Sequence, residues 1–566
     1  YYMSKLSSIR HIVAWLLPYW RKHWLHACIN ASMGICSVLL GLGFVAGTRL
    51  ATDVATGHEQ GYTLNEAIAI LAVILLVQIS LGVVSRWVAA ILGVRAQNAM
   101  QETMFRDILG ADWISLRRLH SGDVMNRLLR DVGVLVTLLT SEIPSLLTTI
   151  FQFTAAFLYL YFIDKRLAII LVIIAPFFLL VSKLYVRRLR RITHDIREKE
   201  SKVQSIIQES LQHSLVIKTL HRVPYVVERL TRTHLALRKG IANKTVYSSF
   251  SATLMNIGFS TGYMVTFAWG AYQLQQHAIT YGAMIAFIQL VGQIQGPIRS
   301  LSQYVPIFVN ASTACERLME LDDMPHEQIE KVYETPQSTP LGIEFCEVSY
   351  AYPDSEKQVV QQFSYSFAPG SITAILGETG TGKTTLVRLL LALMPPQSGR
   401  VELVDDQGHR TSISPSVRPL IAYVPQGNTL LSGTIRENML LGNPEATDEM
   451  MHAALLDAAA DFVLTLPEGL DTHCTESGGG LSEGQAQRVC IARALLRDAP
   501  ILLFDESTSS LDAQTETRVI ENIVNHHRGK TMLFITHRPK VLEYCTQRLD
   551  LSQSRATEKP NLNIER

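Results

Sequence analysis

Two stretches in the second half of the chain carry residues that could bind and split a nucleoside triphosphate. The first, GETGTGKTT at 377–385, follows the apolar run Ile372–Leu376 and precedes the helical run Leu386–Met394. Glycines between a strand and a helix allow a tight loop whose backbone N–H groups point at phosphate oxygens beside the helix N-terminus. The spacing therefore predicts a phosphate-binding loop. The flanking strand and helix disfavour the alternative, a glycine-rich turn with a chance lysine.

Within this loop, Lys383 is expected to pair with the β- and γ-phosphates, and the hydroxyl of Thr384 to ligate magnesium. The loop residues predicted to bind the nucleotide are Gly377, Glu378, Thr379, Gly380, Thr381, Gly382, Lys383, Thr384 and Thr385. They indicate a nucleotide as the ligand, but they do not indicate what its hydrolysis drives.

The second stretch, ILLFDES at 501–507, places two acidic residues at the end of an apolar run. Four consecutive apolar residues are typical of a buried parallel strand, and doubly wound sheets bind their ligands at the carboxyl ends of such strands. We expect Asp505 to hold magnesium and Glu506 to polarise the attacking water. A lone acidic pair would indicate an ordinary solvated strand end, but its combination with the lysine loop favours catalysis.

Four further motifs occur together with these two. LSEGQ stands at 481–485, Gln426 lies in YVPQG, SSLD stands at 509–512 and His537 lies in ITHR. The six elements make the chain resemble the ATP-binding cassette transporters, specifically those with the exporter-type membrane domain. The resemblance covers the whole chain in layout and is dense in motifs from about Val348 to Arg538. It implies an ATPase that uses ATP and Mg²⁺ to move a substance across a membrane.

The resemblance also implies roles for single residues. Tyr352, in SYAYP, resembles the family's adenine-stacking aromatic residue, with a core tyrosine at a strand end as the alternative. Gln426 resembles the residue that senses magnesium and the attacking water. His537 resembles the switch histidine that contacts the γ-phosphate, and Asp512 resembles the residue that communicates between two ATP sites. The predicted catalytic residues are thus Glu506, His537 and Gln426, and the predicted metal ligands are Thr384, Gln426 and Asp505.

The LSEGQ stretch implies a second subunit, because two domains of this family sandwich two nucleotides head to tail. Ser482, Gly484 and Gln485 are then expected to bind ATP held by the partner. Glu483 replaces the usual glycine of the family's LSGGQ, while Gly484 retains the next one. A carboxylate there could weaken ATP capture by charge repulsion, or it could point to solvent.

Retention of Glu506 and His537 favours a homodimer with two competent sites, and a heterodimer in which this chain carries the competent side remains open. After ITHRPKVLEYCTQRLDLSQ the glycine-histidine-glutamate tail of many relatives is not found. The last strand or helix of the domain is therefore expected to be altered or missing.

The elements before residue 320 have the composition of a membrane domain. The chain of 566 residues has a hydrophobic fraction of 48%, a charged fraction of 18% and a formal net charge of +1. A charged fraction below the roughly 25% of soluble domains suggests contact with lipid, and the near-neutral balance disfavours nucleic acid as a partner. Apolar runs of about the 20 residues that cross a bilayer predict six spans. Their approximate limits are 25–47, 66–93, 133–162, 167–188, 245–271 and 279–309.

Positive residues beside the spans predict the orientation. Arg21 and Lys22 precede the first span, and clusters of cations lie between spans two and three and between spans four and five. Because cations gather on the cytoplasmic side, both termini and the ATPase domain are expected inside. The turn Asp164–Arg166 dissents, since it has two cations on the predicted outer side. The aromatic and basic stretch His11–Trp24 predicts an interfacial helix before the first span.

Two cytoplasmic excursions, about 95–121 and 187–244, repeat apolar residues at helical spacing. This pattern predicts helices that continue beyond the membrane. HSGDVMNRLLRD at 120–131 and ESLQHSLVIKTLH at 209–221 resemble the two coupling helices of exporter-type membrane domains. They are expected to transmit ATP-driven closure to the spans.

Polar residues within the spans bear on the cargo without naming it. They are expected to face the bundle interior, where they either line a translocation cavity or join neighbouring helices. These residues are Gln78, Arg86, Gln152, Asn256, Gln289 and Gln293. Export or flipping of an amphipathic small molecule, lipid or peptide is favoured, and siderophore-type import is the alternative. A nucleotide-gated channel or regulator would predict loss of hydrolytic residues, yet Glu506 is retained.

The sequence thus predicts three segments: a membrane all-α six-helix transmembrane domain at 1–320, a linker at 321–341, and an α/β P-loop NTPase domain at 342–566. The expected partners are a lipid bilayer and a second half-transporter. The expected location is the inner membrane of a bacterium.

Overall fold

The computed structural model describes residues 2–119, 121–328, 340–353, 358–378, 380–475 and 479–552. Within the helices, the side chains of residues 2–9, 20, 22–23, 174–190, 251 and 302 are outside this description. The chain separates into two compact units. The first contains residues 1–107 and 121–323, and the second contains residues 108–120 and 324–566. The second unit therefore includes a short segment from the first half of the sequence.

The first unit is built from long helices. In chain order, the helices up to residue 322 are α1 (Tyr2–Ala55), α2 (Leu64–Gly110), α3 (Trp113–Arg118), α4 (Ser121–Ile163), α5 (Lys165–Gln212), α6 (Ser214–Thr219), α7 (Val223–Gln275) and α8 (Tyr281–Asp322). Of these, α3 belongs to the second unit. The helical pattern predicted for most of 187–244 is present, because α5 has 48 residues and α7 has 53. At 1.5 Å per residue they extend about 70–80 Å, more than twice a bilayer core.

Three of the described helical stretches are long and apolar enough to cross a membrane, judged by length and composition alone. They are Trp24–Ala55, Leu64–Gly110 and Ser121–Ile163. Most of the apolar part of α5 lies among the residues whose side chains are not described. In α7 and α8, polar residues dilute the apolar runs, so these helices depend on neighbouring helices to satisfy their side chains.

The N-terminal stretch His11–Trp24 is helical, but it is not a separate interfacial element. It lies inside α1, which runs without interruption from Tyr2 to Ala55 and contains Pro18. A proline removes one backbone hydrogen bond and usually kinks a helix. Here the helix continues past it. The side chain of Trp15 donates a hydrogen bond of 2.6 Å from Nε1 to Asp322, and this contact ties α1 to the end of α8.

The turn Asp164–Arg166, whose two cations disagree with the predicted orientation, has a structural role. Asp164 caps α5 by accepting hydrogen bonds from the backbone N–H groups of Arg166 and Leu167 at 2.9 and 3.0 Å. Its other carboxylate oxygen accepts a bond of 2.8 Å from Trp269 Nε1 on α7. The capping carboxylate and its indole donor hold the turn in place. The residues found in this turn are therefore explained by local geometry and not only by the side of the membrane.

Several of the polar span residues join helices to one another. Gln152 on α4 donates to Gln293 on α8 at 2.6 Å, and Thr48 on α1 donates to Gln289 on α8 at 3.1 Å. Arg299 on α8 donates to Asn256 on α7 at 2.7 Å. In this arrangement the amides act as interhelical contacts, which is the second of the two roles expected for them. Arg86 bonds only within its own helix among the contacts described, to the carbonyl of Gly82.

A half-buried ionic network ties α4 to the end of α8. Arg127 starts a π-type turn of α4 and donates from Nε to Asp123 at 2.9 Å. Its Nη1 donates to the carbonyl of Arg317 and to the carboxylate of Glu320 at 2.8 and 2.9 Å. Arg317 in turn donates to the buried carboxylate of Asp131 at 2.6 Å. The π-turns of α4, which sequence periodicity did not indicate, turn these side chains toward α8.

Replacing Arg127 with Met is expected to destabilise the first unit by about 1–3 kcal/mol, because three hydrogen bonds are lost and a carbonyl and two carboxylates lose their donor. Thermal unfolding of the detergent-solubilised protein measures the change. The matched control is Arg106→Met, because Arg106 pairs with Glu102 at 3.2 Å while both side chains are more than 70% exposed. That variant is expected to stay within about 0.5 kcal/mol. Equal effects in the two variants would contradict a structural role for the network.

The second unit contains two larger sheets with helices around them. After α8, the elements in chain order are β1 (Gly342–Ala351), β2 (Gln358–Phe367), β3 (Ile372–Leu376), α9 (Lys383–Leu390), β4 (Ser398–Val404), β5 (Arg410–Ser412), β6 (Ile421–Val424), β7 (Gly433–Thr434), α10 (Ile435–Leu440), α11 (Asp448–Asp457), β8 (His473–Cys474), α12 (Glu483–Leu495), β9 (Ile501–Asp505), α13 (Ala513–His526), β10 (Thr531–Ile535), α14 (Pro539–Tyr544) and β11 (Gln547–Asp550). A 3₁₀ turn at Pro415–Leu420 precedes β6.

The five-stranded sheet has the order β11-β3-β10-β9-β6, and all of its pairings are parallel. The four-stranded sheet has the order β2-β1-β4-β5 with antiparallel pairings. Every residue of β9 and of β10 is buried, as the continuous apolar runs predicted. Because parallel strands point the same way, the chain leaves β3, β6, β9 and β10 at one edge of the sheet. The residues that follow these strands therefore share that edge.

Candidate nucleotide-binding site

The glycine-rich loop leaves β3 and enters α9 in a conformation that needs its glycines. Gly377, Gly380 and Gly382 have φ values of +148°, +88° and +104°, a region that residues with a Cβ rarely adopt. A Cβ on Gly377 would stand 2.7 Å from Thr381 Oγ1, and one on Gly382 would stand 3.3 Å from the carbonyl of Val359. Gly382 is also the N-cap of α9. The bare backbone beside a helix N-terminus fits a phosphate group.

Lys383 extends from the first position of α9 into a cluster of polar groups. Its Nζ donates to the carbonyl of Gly377 at 2.5 Å and lies 2.8 Å from Nε2 of His537. The same Nζ lies 4.0 Å from the carboxylate of Glu506. Only 10% of the lysine side chain is exposed. An ammonium group held at the mouth of the glycine loop supplies the positive charge that a triphosphate requires.

Asp505 ends β9 and is almost fully buried, with 7% of the residue exposed. Its carboxylate accepts a hydrogen bond of 3.3 Å from the hydroxyl of Tyr423 on β6. Burial is the largest influence on this group and raises its pKa above the ordinary value, while the tyrosine bond and Lys383 oppose that rise. A buried carboxylate with few donors gains most from a nearby cation, which fits the expected role in holding a metal ion.

Glu506 follows Asp505 with a φ of +47°, which is unusual for a residue other than glycine. Its backbone N–H donates to the carbonyl of Ile535 on β10 at 2.9 Å. Gln426, just after β6, donates from Nε2 to the carboxylate at 2.7 Å. His537, just after β10, has its Nε2 4.0 Å from the same carboxylate. Backbone strain of this kind clusters at functional sites, where the surrounding structure holds it in place.

His537 is connected to the SSLD stretch through its neighbour. Arg538 donates from its guanidinium to the carbonyl of Ser509 at 2.8 Å, and its backbone N–H is held by Thr536 Oγ1 at 3.0 Å. The side chain of Asp512 accepts hydrogen bonds from the backbone N–H groups of Gln514 and Thr515 and so caps α13. These bonds lower the pKa of the Asp512 carboxyl. In this chain Asp512 thus organises its own loop.

The LSEGQ stretch forms the start of α12. The hydroxyl of Ser482 accepts a bond from the backbone N–H of Gln485 at 3.3 Å, and the side-chain oxygen of Gln485 accepts one from the backbone N–H of Ser482 at 2.9 Å. This reciprocal capping box fixes the turn. A Cβ on Gly484 would stand 2.9 Å from the carbonyl of Ser510, so the loop packs directly against the SSLD stretch. Glu483 is exposed in the first turn of α12, where the helix dipole favours a negative charge.

Tyr352 follows β1 and lies beside the phosphate loop. Its hydroxyl is 3.2 Å from Oγ1 of Thr385 on α9 and accepts a bond of 2.7 Å from Arg388 on the same helix. The ring of Tyr350 meets the Tyr352 ring edge to face, with centroids 5.3 Å apart and planes at 90°. An aromatic ring at this distance from the phosphate loop is placed to contact the base of a nucleotide whose phosphates lie near Lys383.

The structure places most of the predicted residues in two clusters. One cluster contains Gly377, Gly382, Lys383, Gln426, Asp505, Glu506 and His537, and Tyr352 joins it through Thr385. Ser482, Gly484, Gln485 and Asp512 form a second cluster, and among the described residues no hydrogen bond or ion pair joins them to Lys383 or Glu506. Glu378, Gly380, Thr381 and Thr384 lie in the loop or on α9, while Thr379 lies outside the described residues.

The sequence interpretation missed several contacts of this site. Tyr423 stands three residues before Gln426 in IAYVPQG, so its place on the same strand was a usable signal for contact with Asp505. Arg388 lies one turn after the phosphate loop on α9 and bonds Tyr352. Arg117 also lies over Tyr352, and Trp113 contacts both Arg117 and Arg388, but these two residues come from a segment more than 200 residues earlier that no local pattern connects with the site.

Comparison with known proteins places this fold and site in one family. Residues 9–298 match the family model described as the ABC transporter transmembrane region, and residues 360–509 match the one described as ABC transporter. The chain belongs to the ABC transporters. It is an ATP-hydrolysing membrane transporter that joins a helical transmembrane domain to a cytoplasmic ATPase domain, and half-transporters of this family function as dimers.

Individual relatives agree with this assignment. The chain is 29% identical over 83% of its length, and 79% of the relative's, to a protein of Bordetella avium (strain 197N) named ATP-dependent lipid A-core flippase. It is 28% identical over 75% of its length, and 74% of the relative's, to a protein of Staphylococcus aureus (strain NCTC 8325 / PS 47) named for multidrug export. A structure of a bacterial Atm1-family ABC exporter with ATP bound superposes with a TM-score of 0.76, at 22% identity and 94% coverage of both chains. The predicted fold class and family are confirmed.

Proposed function

We propose that this protein hydrolyses ATP to export or flip an amphipathic small molecule, lipid or peptide by alternating access. The observation that carries the proposal is the cluster around Glu506, in which Gln426, Lys383 and His537 approach one carboxylate within 4.0 Å. This cluster belongs to a chain whose other unit consists of membrane-length helices. A retained hydrolytic carboxylate supports turnover rather than a gated channel.

Each residue of the cluster has a distinct task in hydrolysis. The glycine loop and Lys383 hold the phosphates, which concentrates positive charge where negative charge develops during phosphoryl transfer. Glu506 orients the attacking water and accepts its proton at a carboxylate oxygen. Gln426 donates to that carboxylate and so fixes its direction. His537, within hydrogen-bonding distance of Lys383, lies where it can contact the γ-phosphate.

The donor set around Asp505 fits Mg²⁺. Asp505 offers a buried carboxylate, Thr384 an exposed hydroxyl at the second position of α9, and Gln426 a side-chain amide on the same sheet edge. Magnesium prefers oxygen ligands of this kind together with phosphate oxygens. Bound there, the ion would neutralise charge on the phosphates and support the leaving group. The buried Asp505 would then be matched by a cation.

The dimer is proposed to be a homodimer. In this arrangement Ser482, Gly484 and Gln485 of one copy cover the nucleotide held by Lys383 of the other, which explains why the two clusters stay separate within one described chain. The segment 209–221, expected to be the second coupling helix, contains α6 and has exposed apolar side chains. Leu211, Leu215 and Leu220 are 71%, 74% and 64% exposed, which supports docking of this segment on an ATPase domain of the dimer. Large exposed apolar residues in a charged environment are typical of interaction sites. The presence of Glu506 and His537 makes both sites of a homodimer competent.

Domain limits and location complete the proposal. We infer a transmembrane domain at about 1–320, a linker at 321–341 and an ATPase domain at 342–566, with Ile108–His120 packing as part of the ATPase unit. The relatives named above are bacterial, which supports the cytoplasmic membrane, or inner membrane, of a bacterium. One of those relatives is named as a flippase and the other for export, which supports export or flipping over the siderophore-type import considered from the sequence.

The direction of transport can be tested in inside-out membrane vesicles. Vesicles that contain the protein are given ATP and Mg²⁺ outside, together with either a fluorescent phospholipid or an amphipathic dye. Export predicts ATP-dependent accumulation of at least one probe in the lumen or lumenal leaflet. Glu506→Gln vesicles, which keep the fold but lose the catalytic carboxylate, are the control and should show none. ATP-dependent movement of the probes from the lumen to the outside would instead indicate import.

A further inference from the structure

The short helix α3 is held against the ATPase unit by backbone bonds of the residues just before it. Asp112 caps α3 by accepting a bond of 2.7 Å from the backbone of Ser115. The backbone N–H of Asp112 donates to the carbonyl of Pro325 at 2.8 Å, and that of Glu327 donates to the carbonyl of Gly110 at 2.9 Å. The guanidinium of Arg418 donates two hydrogen bonds, of 2.5 and 2.8 Å, to the carboxylate of Glu327. The segment is therefore fixed within this unit.

Beside α3, several aromatic rings and guanidinium groups lie close to one another. Trp113 is partly buried and packs against the apolar core that includes β1 and α9. The guanidinium of Arg388 lies 4.6 Å from the centroid of the Trp113 ring. The guanidinium of Arg117 lies 5.4 Å from the same ring and 5.6 Å from the ring of Tyr352. Distances below about 6 Å allow cation–π attraction at each of these contacts.

These contacts restrain Tyr352 from several directions. Arg117 lies over one face of the ring, Tyr350 meets the ring at a right angle, and Arg388 with Thr385 holds the hydroxyl. An aromatic ring offers two faces for stacking. A purine base would then stack on the other face, the one turned away from Arg117. The bond to Thr385 keeps that face beside the phosphate loop, two residues after Lys383.

We propose that Arg117, on a helix that the chain inserts between two transmembrane helices, positions Tyr352 for stacking on the base of ATP. This proposal rests on the proposed function and deepens it, because it assigns part of base recognition to a segment outside the contiguous ATPase domain. Arg117 acts through the ring and is a positioning residue. A ring that is already held in place loses less conformational freedom when the base stacks on it.

The two ends of α3 give this arrangement a further consequence. The segment follows α2 directly and precedes α4, so the residues that orient the base-stacking ring are covalently joined to both membrane helices. Base binding at Tyr352 and the position of α3 therefore influence each other, because coupling between two sites is reciprocal. Such coupling would add to any transmitted by closure around the triphosphate.

The test measures steady-state ATP hydrolysis by the full-length protein in lipid nanodiscs. Arg117→Ala is expected to raise KM for ATP about fivefold while kcat changes less than about twofold, as loss of a partly exposed cation–π contact predicts. Arg117→Lys should restore part of the affinity because it keeps a cation. Arg528→Ala removes the same charge from an exposed position just after α13, where Arg528 bonds Asn525 and no aromatic ring among the described contacts, and it should leave KM within about twofold.

A ligand without a base separates positioning from general damage. Inorganic tripolyphosphate competes for the phosphate loop, and its inhibition constant should be unchanged in Arg117→Ala. Tyr352→Ala should raise KM for ATP by itself, and adding Arg117→Ala to it should cause little further change, because Arg117 acts through the ring. Weaker tripolyphosphate inhibition, additive effects of the two substitutions, or an unchanged KM in Arg117→Ala would each overturn the inference. Absence of ATP hydrolysis in the unmodified protein would instead refute the proposed function.

Discussion

Replacing Glu506 with Gln is expected to lower kcat for ATP hydrolysis by about 10²–10⁴-fold, the range typical for loss of a general base. Glutamine keeps the size of the side chain and an oxygen that can accept the bond from Gln426, so the strained backbone at this position should persist. It cannot accept the proton of the attacking water. Phosphate release in a single turnover measures the rate, and binding of radiolabelled ATP should remain within a few-fold of the unmodified protein.

Glu468→Gln provides the matched control, because Glu468 is an exposed carboxylate of the same unit outside the site. Its kcat should be unchanged. If Glu506→Gln kept more than a tenth of the activity, another group would have to accept the proton, and the assignment of Glu506 would be wrong. If it lost ATP binding as well, the carboxylate would be holding the nucleotide site together rather than acting on water.

Replacing Lys383 with Ala is expected to lower kcat/KM for ATP by about 10²–10³-fold, comparable to removal of one preorganised charge-stabilising donor. The lysine is mostly buried among Gly377, Glu506 and His537, so its ammonium cannot be replaced by a neighbouring cation without moving the loop. The loss should appear chiefly as weaker ATP binding, which equilibrium dialysis with labelled ATP measures. Tripolyphosphate binding should weaken to a similar extent, because Lys383 recognises phosphate rather than the base.

Lys540→Ala is the control for this variant. Lys540 is half exposed and pairs with Glu543 on the surface of α14, so loss of its charge should not alter ATP affinity. A Lys383→Ala protein that bound ATP normally and lost only kcat would assign the lysine to the reaction step alone. Normal ATP binding together with normal turnover would remove Lys383 from the site.

The sequence predicted the catalytic cluster well because its geometry depends on local and regular features. Apolar runs indicated β3 and β9 as buried parallel strands, and the rule that ligands lie at the carboxyl ends of such strands placed Lys383 beside Asp505 and Glu506. The structure puts these residues within a few ångströms of each other. Gln426 and His537 were predicted only from the family resemblance, and in the structure each comes shortly after a strand of the same sheet.

Features that depend on distant parts of the chain could not be predicted in this way. The sequence suggested 120–131 as the first coupling helix, whereas the short helix that packs within the ATPase unit is α3, and residue 121 begins the long helix α4. The difference arises because 120–131 was assigned by resemblance to the family, and a likeness in sequence does not show which segment packs on which unit. The turn at Asp112 separates two stretches that have the same kind of pattern.

In the membrane domain too, some features could be predicted from the sequence and others could not. Hydropathy indicated where long helices lie, but not that α1 would continue through Pro18 or that α4 would contain π-type turns at Arg127–Asp131 and Leu138–Glu142. Such local departures are selected by contacts between helices, as in the bonds from Arg127 to α8. The amides of Gln152 and Gln293 were expected to be either cavity lining or contacts, and only the packed arrangement distinguished these roles.

The second unit is built from two separate stretches of the sequence. This affects how the protein folds during synthesis and how it can be divided into fragments. During synthesis on the ribosome, the residues of α3 emerge long before β1, and they must wait for more than 200 further residues before their binding surface exists. Contacts this far apart in sequence slow the completion of a fold. A recombinant fragment that begins at residue 324 would leave the surface under Trp113 uncovered and open to aggregation. Soluble expression of the isolated ATPase should therefore improve when a peptide spanning 108–120 is co-expressed or fused to it.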